Sequence, residues 1–232
     1  AMVSHEFYTP LGFIKGYATT LLREDTQWSD ETWREFLTII DEEADHLHAL
    51  IDDLMDSYRL QSGTLQFQFE TVILESLLQE VIAKAVIRYA ALDIRLNLHV
   101  EAIVWGDPVR LAQVFNNLIG NVVKYAPQSP IVINVETVQS GYQISFQDQG
   151  PGISAEYLDQ LFNRFFRVPE PSRQVHGTGL GLFICRQIVQ AHRGEIWATS
   201  QLGEGTTIWI TLPTLSEVHR DKEREDDKDL GH

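Results

Sequence analysis

The chain has 232 residues, 44% of them hydrophobic and 22% charged, with a formal net charge of −15. A single cysteine, Cys185, excludes an internal disulfide framework. No apolar run reaches the ~18 residues of a membrane span and no secretory signal opens the chain, so a cytoplasmic location is expected for this core, with a membrane anchor left open for a full-length parent, and the acidic balance argues against a nucleic-acid partner, which requires a basic face.

Charge divides the chain into three. Net charge is −9 over residues 1–62, −3 over 63–215 and −3 over 216–232. These are the expected boundaries of a helical region, a nearly balanced α/β domain, and a charged tail expected to be disordered.

In the first region, Trp33, Leu37, Ile40, Ala44, Leu47, Ile51, Leu54 and Tyr58 step by four and three residues, a heptad seam. Ser29 and Asp30 supply cap chemistry before it and Gly63 lies at its end. Phe7, Leu11, Ile14, Ala18 and Leu21 form a shorter upstream seam, with a turn at 23–32. The expectation is a helical hairpin that closes its core by pairing with a second copy as a four-helix bundle through residues 4–62. The alternative is a hairpin packed against its own second domain. His5, Thr9, Gly12 and Gly16 share a solvent-directed face, and Pro10 deprives the Glu6 carbonyl of its helical donor. A proline that weakens a helix without packing gain marks a functional position.

In the second region, residues 65–70 and 94–100 alternate as strands, and 74–90 has helical periodicity. Asp107 and Pro108 open a further helix. Residues 131–138 and 142–148 read as a hairpin joined at Ser140–Gly141, a helix covers 179–191, and strands at 195–199 and 206–212 close the domain. The predicted architecture is an α+β sandwich with helices on one face of a mixed sheet.

Four constellations carry chemistry. Asn117, Asn121 and Lys124 lie at i, i+4 and i+7 on one helix face, where two amide oxygens and an ammonium suit hydrated Mg²⁺ and phosphate oxygens. Asp148-Gln149-Gly150-Pro151-Gly152 ends a strand, its glycines admitting a ligand close to the backbone and Asp148 able to accept from a buried amine. Gly177-Thr178-Gly179-Leu180-Gly181-Leu182 opens a helix, an anion-binding arrangement without the GK[ST] of a P-loop. Gly203-Glu204-Gly205-Thr206 reads as a hairpin turn. Between the second and third, residues 161–176 read as a mobile lid carrying Arg164, Arg167, Arg173, Pro169 and Pro171.

Together these segments resemble the catalytic core of bacterial sensor histidine kinases, over about residues 4–213. SHEFYTPL is similar to the H-box, NLIGNVVKY to the N-box, DQGPGI to the G1 box, LFNRFFRV to the F-box, GTGLGL to the G2 box and GEGTT to the last glycine turn. Six modest motifs in order make a specific match. The resemblance implies a dimerisation and histidine-phosphotransfer hairpin followed by a Bergerat-type ATP-binding domain, with ATP and Mg²⁺ as cofactors and a response-regulator receiver domain as partner. His5 would be the phosphoacceptor, Glu6 its polarising base, and Thr9 would position water for phosphatase activity toward the regulator. Asn121, with Asn117 near, would hold Mg²⁺; Lys124 would touch phosphate, Tyr125 would stack on adenine and Asp148 would read its amine. Arg167 would meet the γ-phosphate, bordered by Gly177, Gly179 and Gly181. A neutral imidazole is a competent nucleophile near neutral pH, and phosphoryl transfer needs mainly positioning and charge neutralisation.

The sequence departs from the family's pattern in places. Tyr8 stands where the family usually has arginine, Phe7 where it often has leucine, and Arg193 where it usually has glycine. His5 lies five residues from the start, whereas the family's first helix normally continues upstream, so an excised core is expected. Competing readings are an ATP-binding scaffold, a phosphatase-dominant core, or an ATPase of the chaperone and gyrase class. The last uses a glutamate where this chain has Asn117, which cannot act as a base.

Overall fold

The computed structural model describes residues 2–23, 25–89, 92–169 and 177–215, with the backbone alone for 2–4. Arg173, Pro171 and the tail 216–232 therefore lie outside the described residues. The chain divides into two compact units, Ala1–Leu65 with His176–Gly181, and Gln66–Val175 with Leu182–His232.

The first unit is a hairpin of α1 (Met2–Leu21) and α2 (Asp30–Gln61). Ser29 caps α2, its hydroxyl accepting the Thr32 N–H at 3.2 Å, and Asp30 and Glu31 set negative charge against the helix's positive end. The turn is anchored by aromatic packing: Phe36 lies 5.0 Å from Tyr17 and 5.4 Å from Trp28 between ring centroids.

Burial within one chain divides the expected seams. Within one chain α2 turns Phe36, Ile39, Leu50 and Ser57 inward, a stripe one residue back from the heptad. Five of the eight residues of the predicted seam stay open: Ala44 is exposed, and Trp33, Leu37, Ile51 and Tyr58 are all more than 40% exposed. On α1 the inward face is Glu6, Pro10, Ile14, Tyr17 and Leu21, while Leu11 is exposed. A 32-residue helix can bear two adjacent apolar stripes, and hydrophobic spacing does not say which one the same chain covers.

The second unit contains a two-stranded and a five-stranded sheet with helices α3 (Leu74–Arg88), α4 (Pro108–Tyr125), α5 (Ala155–Leu158) and α6 (Gly181–Ala191), the last beginning two residues after the predicted start. The large sheet has the order β2 (Ile94–Leu98), β4 (Ile131–Val138), β5 (Gly141–Gln147), β7 (Gly205–Leu212), β6 (Glu195–Gln201); only β2 and β4 are parallel. One face is core: Ile131, Ile133, Val135, Ile144, Phe146 and Ile210 are buried, as are Val81 of α3, Phe115 of α4 and Ile188 of α6. The other face carries a row of Asn97, Asn134 and Ser145 joined by hydrogen bonds of 2.9 and 3.1 Å, continued by Trp209 stacked on Trp197 at 6.2 Å.

The strand expected at 65–70 is not formed. The strand here is β1 (Glu70–Ile73), paired antiparallel with β3 (Ile103–Gly106), which the sequence reading lacks. Alternation at 65–70 serves a different end. Phe67 and Phe69 pack on the His192 ring at 5.7 and 4.9 Å, and the Gln68 N–H donates to Asp107 Oδ2 at 2.9 Å.

His192 is 3% exposed and its Nε2 accepts the Asp107 N–H at 2.8 Å. Its proton therefore sits on Nδ1, which donates to the Ile188 carbonyl at 2.8 Å. Burial holds His192 below the ordinary histidine value. Between that lowered value and the unfolded one, the unfolded chain binds a proton that the folded chain refuses. The His192 contribution is thus level above about pH 6.5 and turns against folding as pH drops below it. Urea midpoints between pH 8 and 5 should show this decline in the wild type, and a shallower one in His192→Gln.

Arg193 follows the end of α6 at φ +58, with the Arg193 N–H bonded to the Gln190 carbonyl and the Gly194 N–H to the Val189 carbonyl, both at 2.9 Å. This is a Schellman closure whose left-handed position glycine fills without strain. Arg193→Gly should raise stability by about 1 kcal/mol, read as a higher urea midpoint at unchanged m.

Candidate functional site

The predicted site residues fall into a group on the hairpin and a group on the α/β unit. On α1, His5 is exposed, and the Thr9 hydroxyl donates to its carbonyl at 3.0 Å. Gly12 and Gly16 continue the same open face, with nothing within 4 Å of an added Cβ. Glu6, the next residue along, is instead 6% exposed. Its Oε2 accepts the N–H of Gly177 at 2.8 Å, within the same unit. The glycine loop predicted to hold an anion thus has its first N–H on a carboxylate oxygen, the chemical equivalent of a phosphate oxygen. Further along the loop, the Leu180 N–H donates to the Thr178 hydroxyl at 3.3 Å, Gly179 is left-handed at φ +69, and Gly181 begins α6. Leu180 is fully buried, so only its main chain can meet a ligand.

In the α/β unit, Asp107 caps α4 as predicted, its Oδ1 accepting from the N–H of Val109 at 3.0 Å and of Arg110 at 3.1 Å. The helix so started carries Asn117, Asn121 and Lys124 on one face, all half-buried, and the Lys124 ammonium lies 5.3 Å from the Tyr125 ring centroid. Among the described residues the Asn117 Nδ2 is buried without a hydrogen-bond partner. A buried amide donor left open beside an asparagine oxygen and an ammonium fits phosphate oxygens and their hard divalent cation. Asn116, in contrast, is exposed and faces away.

The Asp148 turn is built onto the end of that helix. The Gln149 N–H donates to the Ser129 hydroxyl at 2.7 Å. A Cβ on Gly150 would come within 2.5 Å of the Ala126 Cβ, and Ala126 directly follows Tyr125. Gly152, at φ +71, lies against the Gln201 carbonyl, where a Cβ would come within 2.0 Å. These glycines thus let three turns close on one another, a constraint that precedes any ligand. The last glycine turn joins them through Thr206, whose N–H donates to Asp148 Oδ1 at 3.3 Å. The Gly150 N–H donates to the same oxygen at 2.7 Å, which leaves Oδ2 for a ligand. Burial pushes the Asp148 carboxyl above the usual aspartate value, against the opposite pull of those two N–H groups.

Beyond it, Arg164 stacks over Phe165 at 4.7 Å, Phe165 adopts φ +63, and Arg167 is half-buried in the same segment. A left-handed phenylalanine is strained, and such strain collects at functional loops. Spacing gives no signal for it. Nor does it single out His192, whose only mark in sequence is its place before Arg193-Gly194.

Asp148→Asn keeps an oxygen for Gly150 and Thr206 while removing a desolvated charge. It should leave stability equal or slightly higher and weaken binding of an adenine nucleotide by about tenfold or more, measured by thermal unfolding and calorimetry on the same preparation.

Comparison with known proteins identifies the family. Residues 1–63 match the His Kinase A (phospho-acceptor) domain, and residues 106–216 match the Histidine kinase-, DNA gyrase B-, and HSP90-like ATPase family. The Sensor protein SrrB of Staphylococcus aureus is 36% identical over 219 residues, which cover 92% of this chain and 37% of that protein. The chain thus spans little more than a third of the length of such relatives. Full-length ShkA, solved in complex with AMPPNP, superposes with a TM-score of 0.68 at 27% identity over 91% of this chain and 44% of that one. The histidine kinase ThkA, solved in complex with the response regulator protein TrrA, shares the fold with a TM-score of 0.69 at 24% identity over 93% of this chain and 60% of that one. Among the described residues no helix is long and apolar enough to cross a membrane. A phosphoacceptor hairpin followed by a histidine-kinase-type ATPase domain makes this chain a sensor histidine kinase catalytic core.

Proposed function

We propose that the chain transfers the γ-phosphoryl group of ATP to His5 and then to an aspartate of a response-regulator receiver domain. The observation that carries this is the 2.8 Å hydrogen bond from Gly177 to Glu6, which sets the glycine loop beside the residue adjoining an exposed histidine. One His5 ring nitrogen attacks phosphorus, the bond to the ADP oxygen breaks, and a carboxylate that holds the proton on the other nitrogen stabilises the cation formed. Glu6 is the carboxylate for that role once the Gly177 N–H turns to phosphate. Asn121 and Asn117 would hold Mg²⁺, which neutralises phosphate charge when bound. Lys124 and Arg167 meet the phosphates, Tyr125 stacks on adenine, and Asp148 Oδ2 accepts from its amine. Gly150, Gly152, Thr178, Gly179, Leu180 and Gly181 line the site through their main chain. Thr9 orients water when the regulator is dephosphorylated.

The domains we assign are 1–62 for dimerisation and phosphotransfer, 63–215 for ATP binding, and 216–232 as a tail. The open stripe of Trp33, Leu37, Ile51 and Tyr58 supports a homodimer through residues 4–62, since a second hairpin would cover it. The resemblance to regulator-bound ThkA supports the partner.

Incubation with Mg²⁺ and γ-labelled ATP should give acid-labile, base-stable label. His5→Gln should reduce it to background while nucleotide binding persists. Label of the same stability on the His5→Gln chain would remove His5 from the reaction.

A further inference from the structure

Asp107, Gln68 and His192 join α4, α6 and the segment after the hairpin. They form one cluster. Asp107, 5% exposed, spends Oδ1 on the cap of α4 and Oδ2 on the Gln68 N–H. Its own N–H goes to His192 at the end of α6. Packing there is tight: a Cβ on Gly106 would come within 2.9 Å of His192 Cδ2.

Capping α4 needs only one carboxylate oxygen. The second accepts from the linker, and the linker's Phe67 and Phe69 both pack on His192. Gln68 follows Gln61, the last residue of α2, by seven positions. The two helices gripped by the cluster are those that bear the nucleotide motifs. Asn117, Asn121 and Lys124 lie along α4, and α6 opens at Gly181. A packed helix moves as a rod, so its gripped end sets where its far end lies.

We propose that Asp107 and His192 are positioning residues for the nucleotide site, and that docking of Phe67-Gln68-Phe69 on them sets its affinity. This rests on the proposed reading that residues 117–125 bind the nucleotide. Motion at the end of α2 then reaches ATP through the linker, without a contact to the nucleotide.

The test measures AMPPNP binding with Mg²⁺ by calorimetry, and thermal unfolding, on the whole chain. Gln68→Pro removes the N–H given to Oδ2, and Phe69→Ala uncovers His192. Val81→Ala, in the core on α3, is the control for lost stability. Gln68→Pro and Phe69→Ala should weaken binding about five- to tenfold, and the control by less than roughly twofold at an equal or larger loss of Tm. His192→Gln, which retains an acceptor for the Asp107 N–H, should recover part of what His192→Ala loses. Wild-type affinity in both linker variants, or losses that follow Tm across all variants, would overturn the positioning role and leave the nucleotide site standing. Failure of the wild type to bind AMPPNP would instead overturn the nucleotide reading, and this inference with it.

Discussion

A carboxylate buried with three backbone N–H groups organises the α/β unit. Asp107 accepts from Gln68, Val109 and Arg110, and so offsets the cost of removing its charge from water. Each bond also has a structural consequence. Two begin α4, and with it the face of Asn117, Asn121 and Lys124. The third pins the chain arriving from the hairpin. Because the Asp107 N–H meets His192, the end of α6 is set by the same residue. Loss of a partner leaves the buried carboxylate or the buried N–H less well satisfied, so the members of the cluster support one another.

The turns proposed to border the nucleotide take their shape from close backbone approach. Gly150, Gly152 and Gly205 lie where a Cβ would meet Ala126, the Gln201 carbonyl and the Asp148 carbonyl, at 2.5, 2.0 and 2.1 Å. Three turns distant in sequence thereby meet around Asp148. The same packing desolvates its carboxyl and prepares one oxygen to accept from a ligand, at a cost in stability that a bound amine would offset.

On the hairpin, adjacent residues have opposite fates. His5 is open and Glu6 buried, since neighbours on a helix point about 100° apart. The Gly177 N–H finds on Glu6 the kind of oxygen it would find on phosphate.

Local chemistry made much of this molecule legible in sequence. The caps at Ser29 and Asp107, the hairpin turn at Gly141, and the asparagine face of α4 depend on a few neighbouring residues and formed where those residues stand. The ordered motifs identified the histidine kinase core for the same reason. Tertiary structure decided the rest. Alternation at 65–70 could equally mark a strand or a segment with one apolar side, and only Asp107 and His192, far along the chain, select the second. The heptad on α2 marks an apolar stripe, but which of two neighbouring stripes the chain covers depends on where α1 lies. Arg193 occupies a left-handed position that only the folded end of α6 reveals. Short-range spacing specifies elements and motifs; the use made of each buried polar group is settled by partners that only the fold brings near.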